Sequence, residues 1–448
     1  MTIRLRNVLA LGAGLASMVF VFPVFSALPA NADSRIRIVR LSDVEGPVGI
    51  ERAPGEGLER AFLNLPIVEG TRLKTGKAGR AEIEFEDSST IRLGPNSELS
   101  FTRLALGDDG NKLNTAQLLS GTAYASFHQK KGDQFRLDFA QESVAVSSSA
   151  HFRLVLDDAS HATMAVFKGA VNASGPSGNF DVAEKHSATI DLAATASTQK
   201  SAFVIAKNFE QDPLDSWDRQ QNDYHERYAN AGASNWASSL SSPYGYGVSD
   251  MNYYGNFMTV PGYGFAWQPF FVDASWNPFM DGAWAWYPGA GYTWVSGYPW
   301  GWMPYYYGNW AFAPGYGWIW QPGNWSSWSG LPRVVNTSAA VIPKVPVNGH
   351  QTVLVGKGLT AIPAMASGKL TIKPGSAGFG VPRGSVNHLN HIAKSIERDP
   401  HPVVVSMRPP AENSGFAPAL SGGSLAASPR SSRPAMPPST SGHSGPHK

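Results

Sequence analysis

The 448-residue chain has no cysteine, which removes disulfides, thiolate nucleophiles and Cys-ligated zinc together. Catalytic patterns are missing as well. Gly70 and Gly76-Lys77 approach a phosphate-binding loop, but the spacing is one residue too long and Ala78 stands where Ser or Thr is required. No G-x-S-x-G or H-E-x-x-H occurs. His388 and His391 stand three apart without a third ligand, and His151 falls inside a predicted strand, where it reads as a turn or core histidine rather than a base. We therefore expect no enzyme, no metal and no cofactor. A formal net charge of only +2 also gives no reason to expect nucleic acid as a partner.

Charge is scarcest in the middle of the chain, where Asp250, Asp273 and Asp281 are the only ionic residues between Tyr228 and Pro332. Three scattered acids make a poor source for the paired carboxylates of a glycan-cleaving enzyme. The same stretch is crowded with rings, since twelve of the fourteen tryptophans lie between Trp267 and Trp328. By contrast, residues 36–207 contain no tryptophan at all.

At the N-terminus Arg4 and Arg6 precede an apolar run from Val8 to Leu28, followed by Ala30-Asn31-Ala32. Basic start, apolar run and A-x-A site read as a signal peptide over residues 1–32, leaving Asp33 first after cleavage. The run is also about long enough to span a bilayer as an uncleaved anchor. Either reading places the remainder outside the cytoplasm, in the periplasm, at the surface or secreted.

From Ile36 to residue 207 the dominant pattern is alternation. Ala81, Ile83 and Phe85 share one face of a strand, with Glu82, Glu84 and Glu86 on the other; Asp87-Ser88-Ser89 turns the chain, and Ile91 and Leu93 resume the apolar face around Arg92. Similar short pieces recur at 99–104, 123–127, 135–139, 144–146, 152–156, 164–167 and 188–192. Many short strands with polar turns predict a mainly β architecture: a sandwich, roll or short solenoid.

Leu73-Lys74-Thr75-Gly76, the run from Gly79-Arg80-Ala81 to Asp87-Ser88-Ser89, and Leu93-Gly94-Pro95-Asn96-Ser97 resemble the signature of the FecR domain family, as do Gly121-Thr122-Ala123 and the run Val166 to Val171. The resemblance covers roughly residues 40–192. Two positions depart from it: Ser88 replaces the usual turn glycine, and Ser149-Ala150-His151-Phe152 stands for the usual G-T-x-F. Family members in iron signalling place a sigma-binding segment before a membrane span. Only Met1 to Asn7 precede the apolar run here, so the resemblance implies an extracytoplasmic interaction domain, with anti-sigma-type envelope signalling as the alternative.

A polar connector, 208–245, contains Asp212-Pro213-Leu214-Asp215-Ser216-Trp217 and a charged stretch expected to be helical up to Tyr228. Residues 246–330 then repeat: Gly255-Asn256-Phe257 aligns with Gly282-Ala283-Trp284 and Gly308-Asn309-Trp310, and a Pro-Gly turn follows at 261, 288 and 314. Trp267, Trp294 and Trp320 recur after those turns. Three hairpin units of about 27 residues are predicted, with these three rings as core. Such aromatic repeats also resemble modules found behind FecR-like domains. Among the remaining rings, Trp276, Trp302 and Tyr305 are the candidate ligand-binding platform, for polysaccharide or an envelope protein.

Residues 331–408 read as a partly ordered extension whose Val353-Leu354-Val355 and Val403-Val404-Val405 have strand character. Residues 409–448, rich in Pro, Ser and Gly, read as a disordered tail. From Arg333 onward twelve Lys or Arg oppose three acids, a balance of +9, which suggests peripheral contact with anionic envelope polymers.

Overall fold

The computed structural model describes residues 37–128, 130–157, 160–193, 202–229, 245–325, 333–335, 343–357 and 368–407. The signal segment and the basic tail expected from sequence lie outside these residues. Among the described residues no helix is long and apolar enough to cross a membrane.

The architecture is mainly β. One sheet runs, in spatial order, Pro66–Ile67, Val39–Glu45, Arg80–Glu84, Thr90–Leu93, the second half of Lys112–Phe127, Ala150–Leu156, His161–Lys168, His186–Asp191 and Phe203–Lys207, antiparallel throughout. The other runs Glu59–Arg60, Val48–Glu51, Arg72–Thr75, Glu98–Leu106, the first half of Lys112–Phe127, Gln134–Phe139, Glu142–Val146, Ala170–Gly175 and Gly178–Ala183. The long strand Lys112–Phe127 thus passes from one sheet to the other and ties them together. Their apolar faces share one core, in which Phe85 meets Phe101, Phe127 and Phe135 at ring distances of 6.4, 6.3 and 6.0 Å.

The turn after Phe85 shows how the chain accommodates Ser88. Ser88 N–H donates to Phe85 O, Asp87 Oδ1 accepts the Ser89 N–H, and Ser88 sits at φ 65°, the left-handed conformation a hairpin bulge requires. A short polar side chain tolerates that conformation better than a branched one.

Helix α1, Asp215–Ala229, begins where Asp212 Oδ1 accepts the Leu214 N–H and Asp215 Oδ2 accepts the Asp212 N–H. The connector therefore contains a packed helix, which buries Trp217 and Tyr224. Helix α2, Val248–Tyr254, leads into the aromatic module, and α3, Met303–Tyr306, sits before its third hairpin.

The three hairpins pair Gly255–Val260 with Gly264–Pro269, Gly282–Tyr287 with Gly291–Ser296, and Tyr307–Ala313 with Gly317–Trp325. Phe257, Trp284 and Trp310 lie directly opposite Trp267, Trp294 and Trp320. Each turn places its Pro before a glycine with φ between 76° and 80°, as a type II turn demands. Gly255 and Gly282 open their strands because the opposite tryptophan lies against them: a Cβ would stand 2.3 Å from the Trp267 ring and 2.5 Å from the Trp294 ring.

The extension joins the same body. Val353–Val355 pairs with Gly282–Tyr287, whereas Val403–Ser406 pairs with Lys369–Ile372 and leads back from α4, Leu389–Arg398.

Candidate functional site

The polar face of the first sheet is not left to water. Glu82, Glu84 and Glu86 are 0, 1 and 4% exposed, and Arg92 is 1% exposed. Strand register sets two rows across this face: Arg40, Glu84, Thr90, Ser126, His151 and Lys168, then Asp43, Glu82, Arg92, Tyr124 and Arg153. A second layer lowers charged groups of both signs onto them. Helix α1 brings Asp215, which accepts from Arg153 at 2.6 Å and Tyr124 Oη at 2.8 Å, and Asp218, 2.7 Å from both Arg92 Nη1 and His151 Nε2. From α2, Asp250 meets Arg40 Nη2 at 2.6 Å and accepts from Tyr224 Oη at 2.7 Å. Beyond the aromatic module, Arg383 reaches back to Glu82 Oε1 at 2.6 Å and to Ser42 O.

These pairings separate the carboxyls. Burial pushes Glu82 up, but Arg383, His225 and Arg92 outweigh it and hold the group well below the usual carboxylate range. Burial likewise raises Asp218, and Arg92 and His151 overcome it. Glu84 stays raised, because burial together with Asp250 and Glu82 exceeds the help of His225 and Arg40. Asp43 is pushed up to about 7, chiefly by burial, with Arg383 only partly opposing it.

A raised folded-state value means that native Asp43 holds its proton where the unfolded chain has lost it. Its ionisation therefore removes stability as pH rises from about 4 to about 7. Asp43→Asn is expected to unfold in denaturant like the parent at pH 4 and to exceed it at pH 8 by roughly 1–4 kcal/mol. Equal stability at both pH values would refute the assignment.

Along this seam the β domain and the aromatic module are in direct contact. Asn64 Nδ2 donates to Ser296 O and Tyr298 O at 3.1 and 2.8 Å, Tyr287 Oη to Pro66 O at 2.7 Å, and Arg40 Nη2 to Pro299 O at 2.9 Å. Beside it opens a cleft of about 740 Å³. Its walls come from three distant parts of the chain: the strands around Asp43, Val48 and Thr75 with the Leu58–Leu63 segment; Asp250 and Tyr254 of α2 with the loop at Gly297 and Pro299; and the stretch Phe379–Arg383. Leu58, 50% exposed, stands in it, and Gly46, Gly49, Gly76, Gly297 and Gly380 leave its backbone bare.

The platform expected from sequence lies elsewhere and is closed. Trp276, Trp302 and Tyr305 are 3, 0 and 2% exposed. Trp276 donates Nε1 to Tyr298 Oη at 2.9 Å, Trp302 packs on Tyr246 and Tyr306 at 5.2 and 4.4 Å, and Tyr305 donates to Pro278 O. With few aliphatic residues in the module, these rings fill its interior and present no exposed face. Trp267, Trp294 and Trp320 are buried as expected, at 0, 1 and 0%. No sequence signal marks the cleft, because Arg383 and Asp43 lie 340 positions apart and neither belongs to a motif.

The family model described as FecR protein matches residues 71–172, within the span of the resemblance, and that described as Family of unknown function (DUF6600) matches residues 248–348. No curated protein matches the chain. Among solved structures, two crystal structures assigned as an anti-sigma factor from Parabacteroides distasonis ATCC 8503 are similar at 13 and 11% identity, with a TM-score of 0.27 each. The matches cover 33 and 34% of this chain and 63 and 72% of those chains, so this chain spans less than two thirds of the first. The chain thus carries a FecR family domain at residues 71–172 and, behind it, a DUF6600 region at 248–348 that contains the aromatic hairpins.

Proposed function

We propose that this is an exported, non-enzymatic FecR-domain protein that works by binding a protein or polysaccharide of the cell envelope. The cleft between the FecR domain and the aromatic module carries this reading: it is large enough for a ligand, its apolar lining includes an exposed leucine, and it exists only when three parts of the chain come together. The basic tail would add peripheral attraction to anionic polymers.

A photo-crosslinking residue in place of Leu58, in the full chain in cells, is expected to give a discrete adduct that the same residue at exposed Arg398 does not. In parallel, Leu58→Glu is expected to reduce sedimentation of the protein with purified peptidoglycan sacculi. No Leu58 adduct together with unchanged sedimentation would remove the cleft as the binding site. The FecR match favours a second reading, an envelope signalling component, which needs residues 8–28 retained as an anchor. A mature N-terminus at Asp33 would exclude it.

A further inference from the structure

We propose a second ligand site, separate from the cleft: a groove on the FecR domain that takes a neutral, hydroxyl-rich ligand of the sugar class. Helix α1 covers the arginine end of the polar face but leaves a groove of about 600 Å³ over the other end. Its floor is part of one register row, Thr90, Ser126, His151 and Lys168 on four neighbouring strands. One wall is α1, with Arg219, Asn222 and His225; the other carries the Asp87-Ser88 turn and His128.

Three polar atoms of groove-lining residues are buried without a hydrogen-bond partner: Thr90 Oγ1, Arg92 Nη2 and His225 Nδ1. Buried polar atoms are rarely left unpaired, and three around one groove point to a missing group or ordered water there. Above them the groove presents the accessible Ser126, Asn222, Lys168 and Arg219, donors and acceptors that a ligand hydroxyl, being both at once, can meet.

Charge argues against an ion. Arg92, Lys168 and Arg219 face Asp87, Asp215, Asp218 and Glu226, so neither sign dominates. Asp215 and Asp218 are moreover already engaged by Arg153, Tyr124, Arg92 and His151. Phe167 and Phe209, edge to face at 5.0 Å, supply an apolar rim of the kind that the C–H face of a sugar ring packs against. The volume lies in the range of small-molecule sites.

The test is calorimetric titration and saturation-transfer NMR of the purified protein with triacetylchitotriose, cellotriose, glucuronate and inorganic phosphate. At least one trisaccharide is expected to bind saturably. The Lys168→Ala/Arg219→Ala double variant, altering two exposed side chains, and Thr90→Val are each expected to weaken that binding about tenfold or more. Leu58→Glu, in the cleft, is expected to leave it unchanged. Loss with Leu58→Glu alone would move the sugar to the cleft and overturn the proposal. Phosphate or glucuronate binding as tightly as either trisaccharide would make this an ion site, and no binding by any probe would make it a water-filled groove; both overturn it.

Discussion

Arg383→Ala is expected to cost about 3–5 kcal/mol of folding stability, although the residue lies about 300 positions from the strands it holds. The guanidinium is 7% exposed and meets Glu82 and, at 3.5 Å, Asp250. Removing it strands Glu82, 0% exposed, with less positive charge around it than its burial requires. Leaving one partner of a buried pair uncompensated is costly, whereas an exposed charge is worth little. Arg398→Ala, on the exposed end of α4, should therefore change stability by less than about 0.5 kcal/mol. A pH series gives a second readout. Parent Glu82 has a depressed folded-state value, so its contribution is present above the usual carboxylate range and lost as pH falls. Without Arg383 that value rises, and acid unfolding should begin at a higher pH. An Arg383→Ala variant as stable as Arg398→Ala would mean that the extension does not pin the seam.

Trp300→Ala is expected to be comparably severe, about 3–5 kcal/mol by guanidinium denaturation. Trp300 is fully buried at the centre of the module, within 4.9 to 6.2 Å of Trp267, Tyr298, Trp310, Tyr305 and Trp276, and its Nε1 donates to Ala377 O at 2.7 Å. Truncation leaves a large cavity and an unpaired carbonyl. Half-buried Trp286, stacked on His350 at 4.3 Å, is the control, and Trp286→Ala should cost about 1–2 kcal/mol. Equal losses would show that the module has no packed centre.

The parts of the fold most legible in the sequence are those with short-range causes. Alternation around Ile83 gave the strand and its apolar face, and the recurring Pro-Gly turns gave three hairpins with tryptophans opposite the aligned positions. Both signals come from backbone geometry within a few residues. Alternation says which side chains share a face, however, and nothing of what covers it. Glu82 and Arg92 look the same in sequence whether they meet water or α1. The same limit misplaced the platform: nothing within the repeat distinguishes Trp302, packed on Tyr246 and Tyr306, from an exposed ring. Arg383, in a stretch of Gly, Pro and Ser, carried no signal at all.

The ionic seam also bears on how the domain is made. The sheet's own share of it is in place by Arg153, yet the counter-charges arrive with Asp215, Asp218, Asp250 and finally Arg383. While the chain is still being synthesised, the unfinished sheet therefore shows hydrated carboxylates and guanidiniums on that face, where an apolar surface would have been adhesive. A face of charged groups awaiting its cover is less adhesive than an apolar one of the same area, a consequence that the finished molecule's stability alone would never reveal.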